Sequence, residues 1–91
     1  MAVEVKVTAN MKKLLGGNST VEAAGGTVRA VLDDVDKRYP GFKESVMTDG
    51  GIHRFVNVYL NDEDIRYLQK EQTPVSPGDT VSIIPSVAGG Q

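Results

Sequence analysis

One stretch of the sequence has the spacing of an amphipathic helix and is bounded on both sides by residues that stop helices. Its apolar side chains recur three or four residues apart and would share one face: Val28, Val31, Leu32, Val35 and Tyr39. Thr27 follows Gly25-Gly26 and stands where an N-cap is expected. Pro40-Gly41 ends the pattern, because the residue before a proline disfavours the α conformation. The sequence therefore predicts one main helix here.

Strands are predicted on both sides of this helix. In the first, valines alternate with polar residues from Val3 to Val7, which is typical of a half-buried strand. The other predicted strands are rich in β-branched or aromatic residues and cover Ser19–Ala23, Phe55–Leu60, Ile65–Leu68 and Thr80–Ile84, the last ended by Pro85. The first two are expected to form a hairpin. Turns or loops are predicted at Gly16–Asn18, Thr48–Gly51, Asn61–Asp64 and Pro77–Asp79, and a short helical turn at Phe42–Met47.

This order predicts an α+β fold, a mixed sheet with one main helix packed on one face. The β-grasp, or ubiquitin-like, architecture fits the order, although a ferredoxin-like split βαβ fold uses similar pieces. The chain of 91 residues is long enough for one domain. We expect a domain over residues 1–85 and a flexible tail over residues 86–91.

Composition removes several classes of function. The formal net charge is -2 and no block of Lys and Arg occurs, which argues against nucleic acid as a partner. There is no cysteine, so this chain cannot supply a Cys nucleophile or a thiolate metal ligand. Neither a secretory signal nor a membrane-spanning run is visible in the sequence, and a cytoplasmic location is the expectation. So small a domain has little room for a catalytic pocket of its own.

Four Gly-Gly pairs occur, and the last differs from the others in position. Residues 16–17, 25–26 and 50–51 stand between predicted elements and are interpreted as turns. Gly89-Gly90 instead follows the last strand. An extended tail from Ser86 to Gly90 would reach roughly 15–18 Å, which is enough to enter the active site of another protein. A frayed terminus is the alternative interpretation.

A carboxylate on such a tail has a defined chemistry. A free carboxylate is a poor electrophile, but adenylation by ATP gives a mixed anhydride with a good leaving group. A sulfur nucleophile can then convert the anhydride to a thiocarboxylate, whose ionised sulfur is itself nucleophilic. The carrier of that sulfur needs no base, nucleophile or metal of its own.

Two segments resemble the small ubiquitin-like sulfur carriers, a family that includes the small subunit of molybdopterin synthase and the thiamine-biosynthesis carrier. The last strand and tail, residues 78–90, look like the ending of these proteins. Residues 53–66 are similar to the branch represented by the cysteine-biosynthesis sulfur carrier. With the first hairpin and the helix, the resemblance covers nearly the whole chain.

The resemblance implies a set of partner enzymes. An E1-like enzyme would adenylate Gly90 with ATP and enable its thiocarboxylation, while Gly89 gives slim access and Val87 and Ala88 guide the tail. In the cysteine branch, a cysteine synthase that uses pyridoxal phosphate would present an aminoacrylate to the sulfur. An acyl shift would leave cysteine in amide linkage to Gly90, and a zinc metalloprotease of the JAMM type would release it. ATP, pyridoxal phosphate and zinc belong to these partners.

Gln91 departs from the family pattern, in which most chains end at the second glycine. With Gln91 attached, Gly90 carries an amide and cannot be adenylated. We hypothesise that a protease, the JAMM-type enzyme being the candidate, removes Gln91 first.

Other candidate sites are weaker. His53 is the one histidine, and no spacing supplies it with further metal ligands. The acidic run Asp62–Asp64 lacks the spacing of a calcium loop and is interpreted as a solvated turn. A possible partner surface includes Arg54, Phe55 and Arg66. A β-grasp sheet has one face toward the helix and one toward partners, and alternation alone does not say which residues face out.

The sequence leaves two other functions open. The small subunit of molybdopterin synthase would co-purify with a larger catalytic subunit. A protein modifier of the ubiquitin type would form high-mass conjugates on denaturing gels.

Overall fold

The computed structural model describes residues 2–48, 51–52 and 56–85. The strands within these residues are β1 (Val3–Val7), β2 (Thr20–Ala23), β3 (Met47–Thr48), β4 (Gly51–Ile52), β5 (Val56–Leu60), β6 (Glu63–Asp64) and β7 (Thr80–Pro85). The α-helices are α1 (Val28–Arg38) and α2 (Phe42–Val46). Short 3-10 helices cover Ala9–Leu15, Ile65–Tyr67 and Lys70–Gln72.

The main sheet joins the beginning of the chain to its last strand. Its strand order is β2-β1-β7-β5-β6. β1 and β7 pair in parallel, with Val5 opposite Val81, and the other neighbouring strands pair antiparallel. A helix between an N-terminal antiparallel pair and a later central strand is the β-grasp arrangement, so the predicted fold class is confirmed.

The core lies between this sheet and α1. Alternate residues of β1 point into it, as the sequence predicts, while Glu4 and Lys6 are exposed. α1 contributes the face that the helical spacing predicts, and its four valine and leucine side chains there are fully buried: Val28, Val31, Leu32 and Val35. Phe42 from α2 and Ile65 close the core from the side.

The bounds of α1 follow from its local sequence. The Thr27 hydroxyl accepts a hydrogen bond from the Ala30 N–H at 3.1 Å, which confirms the predicted N-cap. The helix ends at Arg38, just before the Tyr39-Pro40 pair. The Asp36 carboxylate then accepts hydrogen bonds from the N–H groups of Gly41 and Lys43, each at 3.1 Å. This carboxylate fixes the start of α2 against the end of α1.

β1 and β2 pair antiparallel, as predicted, but no tight turn joins them. The connection contains the 3-10 helix Ala9–Leu15, which is held down by the buried side chains of Met11 and Leu15. Gly16 ends it in the left-handed conformation with φ of 66°.

Three elements predicted from the sequence differ in part from the structure. Ile65–Leu68 forms a 3-10 helix over Ile65–Tyr67 where a strand is predicted, because the Asp64 side chain accepts from the Arg66 N–H and starts a helical turn. The predicted turn Asn61–Asp64 is shorter, since Glu63 and Asp64 pair with β5. The ends of the predicted loop Thr48–Gly51 pair as β3 and β4, and residues 49–50 lie outside the described residues.

Candidate functional site

The position of β7 decides where the tail begins. β7 is the middle strand of the main sheet, with β1 on one side and β5 on the other. Its last residue, Pro85, pairs with Val56, the first residue of β5. The chain therefore leaves the middle of one end of the sheet, which we call the tail end. The predicted tail residues Val87, Ala88, Gly89, Gly90 and Gln91 lie outside the described residues, and their roles stay predictions.

The strand register shows which side chains face away from α1. Val81 and Ile83 of β7 are buried, so Ser82 and Ile84 lie on the opposite face. We call this side of the sheet the outer face. Ile84 is the residue before Pro85 and is 39% exposed, although it is large and apolar.

A cross-strand row of polar and aromatic residues runs over the outer face. Ser82 is opposite Lys6 of β1 on one side and opposite Tyr59 of β5 on the other. Tyr59 in turn is opposite Asp64 of β6. Nearer the tail end, Ile84 is opposite Asn57. These residues share one face of the sheet, and Ile84 and Asn57 are the ones nearest to the point where the chain leaves it.

The structure assigns to core or surface the side chains of β5 and β7 that alternation alone leaves open. Val58 and Ile83 are buried, whereas Leu60 is half-buried. Phe55 and Arg54, predicted as partner-surface residues, lie outside the described residues, as does His53.

Arg66, the third predicted partner-surface residue, is held in place by Asp64. Its guanidinium donates from Nη2 to Asp64 Oδ2 at 2.7 Å, and from Nε to both carboxylate oxygens at 3.1 and 3.2 Å. The Asp64 side chain is 9% exposed, whereas that of Arg66 is 59% exposed. The hydrogen bonds from Arg66 hold the pKa of the Asp64 carboxyl below its ordinary value, and burial opposes this shift. The pair thus presents a pre-oriented guanidinium edge beside the outer face.

The acidic run is solvated only in part. Asp62 and Glu63 are exposed, as a solvated turn predicts, but Asp64 is buried beneath Arg66. Within the described residues, no three His, Cys, Asp or Glu side chains are grouped so that they could hold a metal ion.

Sequence reasoning missed Tyr59, Ile84 and Tyr67. The ring of Tyr67 follows Arg66 in the 3-10 helix and is 82% exposed. Tyr and Arg, together with Trp, are enriched at the energetic centres of protein interfaces. The alternation of β7 places Ile84 on the same face as Ser82, but only the burial of Val81 and Ile83 in the structure shows that this face is exposed. Nothing in the local sequence distinguishes Tyr67, because its exposure depends on the unpredicted helical turn.

The opposite side of the molecule has a polar hollow of about 620 Å³ between α1, α2 and the 3-10 helix Lys70–Gln72. Two of its carboxylates have structural neighbours within the protein. Asp36 caps α2, and the Glu71 carboxylate lies against Gly51, 3.5 Å from the position that a Cβ would occupy there. The hollow is remote from the outer face.

In the parts of the chain that the structure describes, no helix is both long enough and apolar enough to cross a lipid bilayer.

Comparison with known proteins agrees with this geometry. The sequence pattern that defines the ThiS family matches residues 5–90. The sulfur carrier protein CysO of Mycobacterium tuberculosis is 41% identical over 93 residues, which cover 99% of this chain and all of that protein. CysO in the crystal structure of the Amycolatopsis orientalis BexX/CysO complex superposes with a TM-score of 0.92 at 43% identity, covering 98% of this chain and 100% of the other. Small archaeal modifier protein 3 of Haloferax volcanii is 30% identical over 92 residues, covering 99% of this chain and all of that protein.

The strand order and the helix packed on one face of the sheet define a small domain of the ubiquitin-like, β-grasp class. This chain belongs to the ThiS family of ubiquitin-like sulfur carriers.

Proposed function

We propose that this chain is a sulfur carrier whose Gly90 is converted to a thiocarboxylate, and that the sulfur serves cysteine biosynthesis. The observation that carries the proposal is the family match, which extends through the tail to residue 90 and is joined by 41% identity to a sulfur carrier over nearly the whole chain. The geometry supports it, because β7 delivers the tail from the middle of the sheet, beside an exposed outer face.

The chemistry takes place at the tail and uses groups supplied by partners. A carboxylate oxygen of Gly90 attacks the α-phosphorus of ATP, and pyrophosphate leaves. Hydrosulfide then attacks the acyl carbon of the adenylate. AMP leaves with the bonding electron pair, a proton is released, and Gly90 ends in –COS⁻. An E1-like enzyme supplies this step, and a cysteine synthase that uses pyridoxal phosphate accepts the sulfur.

The chain itself contributes presentation and recognition. Glycine lacks a Cβ, so Gly89 and Gly90 can enter a channel that is too narrow for other residues. The outer face around Tyr59, Ile84 and Arg66 docks on the partner enzymes. Removal of Gln91, which the family match does not include, frees the Gly90 carboxylate. A JAMM-type zinc metalloprotease is the proposed agent.

The test uses chains with three different ends, each mixed with the E1-like enzyme, ATP and sulfide and followed by intact mass. We expect a chain ending at Gly90 to gain the mass of sulfur in place of oxygen. A chain ending at Gln91 should gain it only after the metalloprotease is added, and a chain ending at Gly89 serves as the control for tail length. Sulfur gained with Gln91 still attached, or no gain by the chain ending at Gly90, would contradict the proposal.

The same assay tests the docking surface. We expect Ile84→Lys to lower kcat/KM for thiocarboxylation about tenfold, because an apolar contact at the centre of an interface is replaced by a charge. Lys37 is exposed on α1, so Lys37→Ala is a matched control that should leave the rate unchanged.

A second function, protein modification, is favoured by the 30% identity to small archaeal modifier protein 3. It predicts isopeptide bonds from Gly90 to lysines of other proteins. Denaturing gels of cells expressing a tagged chain would then show high-mass conjugates that disappear when Gly89-Gly90 is deleted.

A further inference from the structure

Charge is distributed unevenly along the strands of the main sheet. At the end away from the tail, Glu4 and Glu22 stand directly opposite each other and are exposed. The exposed Asp62 and Glu63 lie at the same end, next to the last residue of β5. The tail end differs, because the exposed charges on β1 and on the 3-10 helix after it are three lysines, Lys6, Lys12 and Lys13. We call these the rim lysines.

The topology places the rim lysines beside the exit of the tail. β1 and β7 run in the same direction, and Val7 pairs with Ile83. Both strands therefore end at the same edge of the sheet. One residue after Val7, the chain enters the 3-10 helix that carries Lys12 and Lys13, and two residues after Ile83 it leaves the sheet at Pro85.

The rim lysines are positioned but not neutralised. Met11 and Leu15 are buried on either side of Lys12 and Lys13 and hold the 3-10 helix against the core. None of the three lysines forms an ion pair with another described residue. The ion pairs among the described residues are Arg38–Asp34, Lys43–Asp33 and Arg66–Asp64. In a chain with a net charge of -2, this is a local reversal of sign.

We propose that the rim lysines form a docking contact for an acidic surface of the E1-like activating enzyme, close to the mouth of the channel that takes the tail. This inference rests on the proposed function. Lys6 connects the contact to the outer face, because Lys6 is opposite Ser82 in the row that continues to Tyr59.

Distance selects carboxylates of the partner protein over the phosphates of ATP as the ligand. The extended tail would place Gly90 roughly 15–18 Å beyond Pro85. Since the lysines lie at the near end of the tail, they face the protein surface around the channel entrance, while the nucleotide lies at the far end. Attraction between opposite charges at such a rim increases the association rate and weakens as salt is added.

The test compares two double variants with the same change in charge. Lys12→Glu with Lys13→Glu alters the rim, and Arg29→Glu with Lys37→Glu alters exposed positions on α1. Each is prepared ending at Gly90, checked for unchanged thermal unfolding, and assayed with the purified E1-like enzyme below saturation. We expect the rim variant to lose about tenfold or more in kcat/KM at low salt, while the α1 variant stays within about twofold of wild type.

The salt dependence completes the test. The loss by the rim variant should shrink severalfold near 0.5 M salt, where the Debye length falls to a few ångströms, roughly 4 Å. Equal rates for the two variants, or a loss that salt does not change, would overturn the docking contact while wild-type thiocarboxylation stands. A wild-type chain that gains no sulfur at any enzyme concentration would overturn the proposed function, and the contact with it.

Discussion

At the residue scale, two adjacent glycines with the same apparent role prove to be under different constraints. Gly25 and Gly26 both precede α1, and the sequence assigns them together to a chain break. A Cβ built on Gly25 would lie 2.7 Å from the Val31 nitrogen and 2.9 Å from the Ala30 Cβ. A Cβ on Gly26 would meet nothing within 4 Å. Gly25 is required because the backbone approaches α1 closely, a contact between segments that the sequence does not show.

We expect Gly25→Ala to lower the free energy of unfolding by about 1–3 kcal/mol, since the backbone atoms it meets cannot move aside cheaply. Gly26→Ala is the matched control and should be neutral, or more stable by up to about 1 kcal/mol because it restricts the unfolded chain. Urea unfolding of both variants measures the difference. Equal effects of the two substitutions would show that Gly25 is not tightly packed.

The Asp64–Arg66 pair makes a prediction about pH. The pKa of Asp64 is lowered in the folded state, so the folded state binds a proton less readily than the unfolded state. The pair therefore stabilises the fold fully above the ordinary carboxyl pKa, and this contribution is lost as the pH falls through the lowered folded pKa.

We expect Arg66→Met to be less stable than wild type at pH 7, and we expect this difference to diminish as the pH is lowered through the acidic range. Urea unfolding at neutral and acidic pH provides the measurement, and Arg66→Lys, which keeps the charge without the forked guanidinium, should recover part of the difference. A gap that is unchanged at low pH would mean that Arg66 stabilises by packing alone.

At the scale of elements, what the sequence predicted depends on how local the determinants are. α1 was predicted because its cap at Thr27, its apolar spacing and its Pro40 stop all lie within or beside it. The 3-10 helix Ile65–Tyr67 was not predicted, because a short run with β-branched and aromatic residues such as Ile65 and Tyr67 is typical of a strand as well. The helix starts where the Asp64 side chain accepts a hydrogen bond from the Arg66 N–H. It is held against the domain by Ile65, which is buried in the core.

The antiparallel pair of β1 and β2 carries a like-charge contact. Glu4 and Glu22 are directly opposite and exposed, an arrangement that destabilises a strand pair. We expect Glu4→Lys to raise the free energy of unfolding by about 0.2–1 kcal/mol, measured by urea unfolding at low salt. Glu4→Gln removes only the repulsion and should gain less. If neither variant is more stable than wild type, the repulsion is screened by solvent or is offset by the weak hydrogen bond that Thr80 Oγ1 donates to Glu4 Oε1 at 3.4 Å.

At the scale of the whole molecule, the fold class could be predicted from the order of elements, but the strand order could not. Alternation in β7 indicates two faces, yet only the burial of Val81 and Ile83 in the folded structure shows which face is outer, and the register then places Tyr59 on it. For the same reason Arg66 could be proposed as a surface residue from sequence, whereas Tyr59 and Ile84 became candidates only through the register. Gly90 was proposed from its position in the chain and lies outside the described residues, so its role stays a prediction.

The predicted division into a domain over residues 1–85 and a tail over residues 86–91 leads to a truncation test. The buried core extends from Val3 to Ile83. We expect a chain ending at Pro85 to keep the Tm of a chain ending at Gly90, while it loses all thiocarboxylation. A fall in Tm of about 4 °C or more, which corresponds to ~1 kcal/mol in a domain of this size, would show that the tail packs on the domain and that the boundary is wrong.

The parallel pairing of β1 with β7 has a consequence for how the protein is made. β1, the earliest strand of this domain, has its long-range partner in β7, the latest strand of the domain, so the contact order of the sheet is high. β1 and β2 can pair early, but the middle of the sheet stays open until β7 follows, and α1 has no complete surface to pack on before then. Completion of the fold and appearance of the tail therefore coincide. A partner protein that recognises the closed sheet would therefore distinguish fully folded molecules from incomplete ones.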